Sequence, residues 1–134
     1  MKVKLAVVGA AGRVGRRIIA LAAESGRFEI SAAIENEGHP EIGKDAGLLA
    51  GIDRLGVPLA GAWTTGADVA VDFSLPEAAE RTLRQCAAGQ TALVMGTTGM
   101  LLLKGRPLRS VHRWSAVAFV TLRLTNFVTS FWVA

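Results

Sequence analysis

Short apolar runs alternate with glycine turns and amphipathic stretches over the first 99 of the 134 residues. Val3–Val8 is an apolar run that predicts a buried strand, and residues 16–23 predict a helix behind a glycine-rich turn. Phe28–Ile34 predicts a second buried strand through Phe28, Ile30, Ala32, Ala33 and Ile34. Residues 38–56 are rich in glycine and charge (His39, Glu41, Lys44, Asp45, Asp53, Arg54), which predicts a long surface excursion with at most a short helix near Leu48. A short strand is expected over 57–59 and a buried one over 68–73. Ser74 can then cap, and Pro76 start, a helix over 76–88 that stops at Gly89. Its spacing turns Ala79, Leu83, Cys86 and Ala87 inward and Glu77, Glu80, Arg81 and Arg84 outward. Residues 91–95 predict the next strand, which ends in Gly96-Thr97-Thr98-Gly99.

Strands alternating with helices in this order imply right-handed crossovers and an α/β, Rossmann-like, doubly wound parallel sheet with helices on both faces. A content of 51% hydrophobic against 19% charged residues suits such a buried sheet, and the length allows one domain with a modest core but not two full domains. Four turns would then share the carboxyl edge of the sheet: 9–15, Glu35, 73–76 and 96–99. That edge is where doubly wound sheets hold their ligand.

The chemistry begins at Gly9-Ala10-Ala11-Gly12-Arg13-Val14-Gly15. Gly9 allows a sharp turn, Gly12 lets backbone N–H groups approach a diphosphate, and Gly15 lets the helix pack close to the strand. The helix N-terminus adds unpaired N–H donors and the positive end of a dipole. The spacing is G-x-x-G-x-x-G where the usual fingerprint reads G-x-G-x-x-G, and a turn of this kind can also be purely structural. Glu35, about twenty residues on at the end of the second strand, can accept the ribose hydroxyls of an adenosine, although a carboxylate there can also simply end the strand. Beside it stands Asn36, where an arginine would favour a 2′-phosphate, while Arg13 at the helix mouth can supply phosphate affinity. The choice between NADH and NADPH stays open.

The charge is unevenly spread. Residues 100–134 contain no Asp or Glu and five of the fifteen Lys and Arg (Lys104, Arg106, Arg109, Arg113, Arg123), so the formal charge of +4 belongs to this tail. Its cations are scattered, which argues against a nucleic-acid partner, and the apolar stretch 116–122 is too short to span a bilayer. No leader pattern opens the chain, and the single Cys86 excludes an intramolecular disulfide and reads as core filler, so a cytoplasmic setting is expected. His39 and His112 read as surface residues, and no metal or catalytic residue is picked out.

Val8-Gly9-Ala10-Ala11-Gly12-Arg13-Val14-Gly15-Arg16, Gly43-Lys44-Asp45-Ala46-Gly47, Asp72-Phe73-Ser74-Leu75-Pro76 and Gly96-Thr97-Thr98-Gly99 together resemble the N-terminal domain of the dihydrodipicolinate reductase family, also called 4-hydroxy-tetrahydrodipicolinate reductase. The resemblance covers about residues 1–99. It implies that Gly9, Ala10, Ala11, Gly12, Arg13, Val14 and Glu35 hold the adenosine and diphosphate of NADPH or NADH. Phe73, Gly96, Thr97 and Thr98 then line the nicotinamide end. It further implies hydride delivery to a cyclic imine-type dicarboxylate in the diaminopimelate route to lysine, and a homotetramer for full-length members; the state of this chain is left open.

The second domain of that family carries an H-H-x-x-K-x-D-x-P-S-G-T core with the general-acid histidine and the substrate-carboxylate binders, and no such run occurs in these 134 residues. The expectation is therefore a dinucleotide-binding domain at 1–99 and a divergent, ill-packed tail at 100–134 from a truncation, a shifted frame or an unrelated join. Within the tail, 116–122 could join the open sheet edge. A small-molecule substrate would be turned over only if the missing domain is supplied. Two alternatives stand beside this: another Rossmann oxidoreductase, and a dinucleotide-binding module without catalysis.

Overall fold

The computed structural model describes residues 1–64 and 66–96 and the backbone of 117–119. Its core is one parallel sheet of six strands: β1 (Val3–Val8), β2 (Phe28–Ile34), β3 (Leu59–Ala60), β4 (Val69–Asp72), β5 (Ala92–Met95) and β6 (Val117–Phe119). They lie in the order β3-β2-β1-β4-β5-β6, the doubly wound order in which the chain reverses direction of travel beside β1. Among the described residues the α-helices are α1 (Arg13–Ser25), α2 (Ala46–Leu49) and α3 (Ala79–Gly89).

Each face of the sheet builds its own core because side chains alternate along every strand. Leu5 and Val7 join Ile30, Ala33, Ile19 and Ala22 of α1, and Ala46 of α2. Ala6 and Val8 join Ala32, Ile34, Ala70, Leu93 and Met95 under Ala79, Leu83 and Cys86 of α3. Ile19, Leu93 and Met95 are almost wholly buried, and each such side chain contributes roughly 1.5–3 kcal/mol by leaving water.

Several local expectations shift. Helix α1 begins at Arg13, three residues before the expected start, with Gly12 as its extended N-cap, so the glycine turn runs directly into the first helical N–H groups. The strand expected at 57–59 falls at Leu59–Ala60. Val57 is committed elsewhere, its carbonyl accepting from Ala46 N at 2.8 Å, and Pro58 has no N–H to give a ladder.

Ser74 does not cap the next helix: its hydroxyl donates to Asp72 Oδ1 at 2.5 Å, and Leu75 precedes a single 3-10 turn at Pro76–Ala78. On α3 the inward position expected for Ala87 is exposed and Thr82 is buried instead. The helix closes in a left-handed residue at Gln90 (φ 52°), one beyond Gly89. Cys86 fills the core as expected, and burial, then the nearby charge of Asp72, pushes its thiol up to about 11.

The tail contributes one described element. Val117–Phe119 pairs in parallel with β5 through Leu93 and Val117, Val94 and Ala118, and Met95 and Phe119. This is the open edge considered for the apolar run 116–122, where unpaired backbone groups of β5 accept a β-prone segment.

Candidate functional site

Gly9 ends β1 with φ +77° and donates to Ile34 O at 2.9 Å, so the glycine turn leaves the sheet while still tied to β2. A Cβ on Gly9 would lie 3.1 Å from the backbone N and Cα of Ser74. A Cβ on Gly15 would lie 2.1 Å from Gly9 O and 2.8 Å from Ala10 Cα. That contact allows no side chain, and it is how the first turn of α1 comes to lie against the loop. Gly12 is exposed, and a Cβ there would meet only Gly9 O at 3.2 Å. The first-turn N–H groups of α1 have no partner within the helix and point past Gly12.

Glu35 arrives from β2, its own N–H held by Ala60 O at 2.9 Å. Its carboxylate accepts from Ala11 N at 3.1 Å through Oε2 and from Asn36 N at 3.1 Å through Oε1. The acid and the glycine loop, 24 residues apart, thus meet directly.

β4 delivers Phe73 and Ser74 between the glycine loop and β5. Asp72, wholly buried, accepts from Ser74 N at 2.7 Å and from its hydroxyl, and its Oδ2 has no hydrogen-bond partner among the described residues. Phe73 N donates to Val8 O at 3.2 Å, and Gly96 N to Asp72 O at 2.9 Å. The Phe73 ring covers Gly96, where a Cβ would fall 2.2 Å from Cε1. Thr97 and Thr98 lie outside the described residues.

Three residues of the site had no role assigned from the sequence. Arg16 donates from Nε to Ala11 O at 2.7 Å and pairs with Glu41 Oε2 at 2.5 Å. Glu41 was visible only as one charge among several on a surface excursion, and its pairing depends on how that excursion folds back. Asp45 caps α2 and accepts four backbone N–H groups, from Gly47, Leu48, Leu55 and Gly56. Burial works to raise its pKa, but these four bonds outweigh it and hold the carboxyl below its ordinary 3.8. The Gly-Lys-Asp-Ala-Gly run is thus a self-contained loop anchor, with Asp45 at its centre.

The strand order, the glycine turn against helix α1 and the acid at the end of β2 define a doubly wound domain of the dinucleotide-binding type. The sequence matches the family described as "Dihydrodipicolinate reductase, N-terminus" over residues 3–120, and the chain belongs to that family. Relatives named 4-hydroxy-tetrahydrodipicolinate reductase are 46% identical over 100 residues in Trichlorobacter lovleyi and 46% over 103 residues in Alkalilimnicola ehrlichii. These matches take in 72% and 75% of this chain, which spans only 37% and 39% of those relatives' lengths.

The fold is also similar to the dipicolinate-bound dihydrodipicolinate reductase of Paenisporosarcina sp. TG-14, with a TM-score of 0.54 at 21% identity over 74% of this chain and 38% of that one. It is similar too to the aspartate semialdehyde dehydrogenase of Candida albicans solved with NADP, at 0.57 and 21% identity over 72% and 30% of the two chains.

Proposed function

We propose that this chain is the NAD(P)H-binding part of a 4-hydroxy-tetrahydrodipicolinate reductase. The supporting observation is the convergence at one sheet edge of the glycine turn, Glu35, Phe73 and Gly96, with no side chain of the described residues filling the space beside Gly12. Gly9, Ala10, Ala11 and Gly12, their own N–H groups tied to Ile34 O, Glu35 and Gly9 O, shape the turn, and the diphosphate lies against it on the first-turn N–H groups of Arg13 and Val14 at the helix N-terminus. Glu35 accepts the adenosine ribose hydroxyls, a role for which its carboxylate is already turned toward the loop. Phe73 and Gly96, with Thr97 and Thr98, take the nicotinamide end.

A bound nicotinamide cofactor would supply the hydride, and this chain's residues would bind and orient it. The reaction served is reduction of a cyclic imine-type dicarboxylate in lysine biosynthesis, in the cytoplasm. Residues 100–134 form a divergent basic tail, from which Val117–Phe119 completes the sheet. Among the described residues no helix is long and apolar enough to cross a membrane. Titration of the whole chain with NADH and with NADPH, followed by cofactor fluorescence, tests the reading; binding of neither would overturn it.

A further inference from the structure

We propose that Glu41 sets a preference for NADH, whose ribose carries a free 2′-hydroxyl, over NADPH, whose ribose carries a 2′-phosphate, by neutralising Arg16. The inference rests on the cofactor reading above and deepens it.

Residue Ala11 is held at both its backbone polar groups: its N–H donates to Glu35 Oε2 at 3.1 Å, and its carbonyl accepts from Arg16 Nε at 2.7 Å. The backbone of one residue therefore links the carboxylate assigned to the ribose and a guanidinium. A 2′-phosphate at that ribose brings close to two negative charges and needs a cation with unshared donors, and guanidinium is the best such group.

Arg16 is not in that state. Its outer nitrogen lies 2.5 Å from Glu41 Oε2, and the pair is only partly exposed, with side-chain accessibilities of 38% and 23%, so solvent screens it incompletely. Lys44 is drawn to the same carboxylate, its Nζ 3.8 Å from Oε1. Glu41 is held in place by successive turns of the loop: its N–H donates to His39 Nδ1 at 3.3 Å and its carbonyl accepts from Lys44 N at 3.0 Å.

Among the described residues, those that directly follow Glu35 in the chain supply no compensating charge. Asn36 turns its Oδ1 back to Gly38 N at 3.0 Å, and the next residue, Glu37, is a further exposed carboxylate. Arg13, exposed at the first position of α1, is assigned in the reading above to the diphosphate that both cofactors share. A 2′-phosphate would meet Glu35 and Glu41, with Arg16 and Lys44 already paired to Glu41. A 2′-hydroxyl would meet an acceptor.

The test is titration of the full chain with NADH and NADPH, in the parent and in Glu41→Gln. The parent is expected to bind NADH about tenfold more tightly. Glu41→Gln releases Arg16 and should tighten NADPH about tenfold while leaving NADH within about twofold, the scale of one charge-assisted contact in partly exposed surroundings. Adding Arg16→Gln to Glu41→Gln should abolish the gain, since the effect runs through that guanidinium. Glu41→Ala provides the same readout should the glutamine variant fold poorly. A parent that favours NADPH, or a ratio that neither Glu41 variant moves while both cofactors bind, overturns the inference and leaves the cofactor site standing. Failure of both cofactors to bind the parent overturns the site itself, and this inference with it.

Discussion

The ring of Phe73 lies against Gly96 so closely that a single added carbon on Gly96 would sit 2.2 Å from Cε1 and 2.3 Å from Cζ. Two loops from different strands are thereby held in one position at the nicotinamide end of the proposed site. Gly96→Ala forces the ring or the strand end to move, and such overpacking costs about 1–3 kcal/mol. A lowered urea midpoint is the expected result, recovered when Phe73→Leu is added to the same chain. A midpoint for Gly96→Ala equal to that of the parent would contradict the contact.

Gly12 and Gly15 separate binding from folding. Gly12 has an ordinary φ of −71°, and a Cβ there would meet only Gly9 O, at 3.2 Å, so Gly12→Val should fold with a small loss of stability and yet block a diphosphate. Gly15→Val places carbon atoms within the Gly9 carbonyl and should unfold the domain. Circular dichroism reads the folding, and NADH titration reads the loss of binding in Gly12→Val. If Gly12→Val binds NADH normally, the diphosphate lies elsewhere.

Glu35→Ala removes the acceptor proposed for the ribose. A hydrogen-bond pair to a charged group contributes about 1.5–3 kcal/mol, so NADH affinity should fall about tenfold to a hundredfold with a much smaller effect on reduced nicotinamide mononucleotide. Equal losses for both probes would mean that Glu35 supports the loop through Ala11 and touches no ribose.

Asp45 links the surface excursion to pH. Its carboxyl is depressed in the folded chain, so the stability it contributes is present above the ordinary 3.8 and is lost as pH falls through the lower folded value. Asp45→Asn should lower the urea midpoint at pH 7 and leave the variant less sensitive than the parent to acid below pH about 4. Parallel acid profiles for the two chains would remove Asp45 as the source.

Cys86 runs the other way. With its thiol raised from 9.0 to about 11, the folded chain keeps the proton while the unfolded chain loses it, so its contribution is complete below 9.0 and disappears as pH climbs through the folded value. Iodoacetamide at pH 8 should leave Cys86 unmodified until denaturant opens the domain. Rapid alkylation in native buffer would show that α3 does not shield it.

Turnover by this chain alone is expected to be at least about five powers of ten below that of a complete reductase. Orientation of imine carbon against hydride donor accounts for about 7 kcal/mol or more of such catalysis, and the site proposed above would orient only the cofactor. Oxidation of NADH, and of NADPH, in the presence of the cyclic imine-type dicarboxylate measures it. A rate within about tenfold of a full-length enzyme would place the substrate machinery within the tail.

The sheet's first half was legible because a strand buried on both faces leaves a continuous apolar run in the chain. Val3–Val8 and Phe28–Ile34 appear in the structure with the expected bounds, and the glycine turn and Glu35 follow them as local punctuation. β3 moved because Val57 answers to Ala46 and Pro58 bridges to Asp45, partners set by the return of a loop. Thr82 displaced Ala87 from the buried face of α3 because the rotation of a helix on a sheet depends on what lies beneath it. The Arg16–Glu41 pair, the burial of Asp72 and the meeting of Phe73 with Gly96 have no local signature at all. A periodicity is a property of neighbouring residues and survives in the sequence, whereas a charge pair 25 residues apart exists only once the backbone between has folded, and that was decided by the tertiary structure.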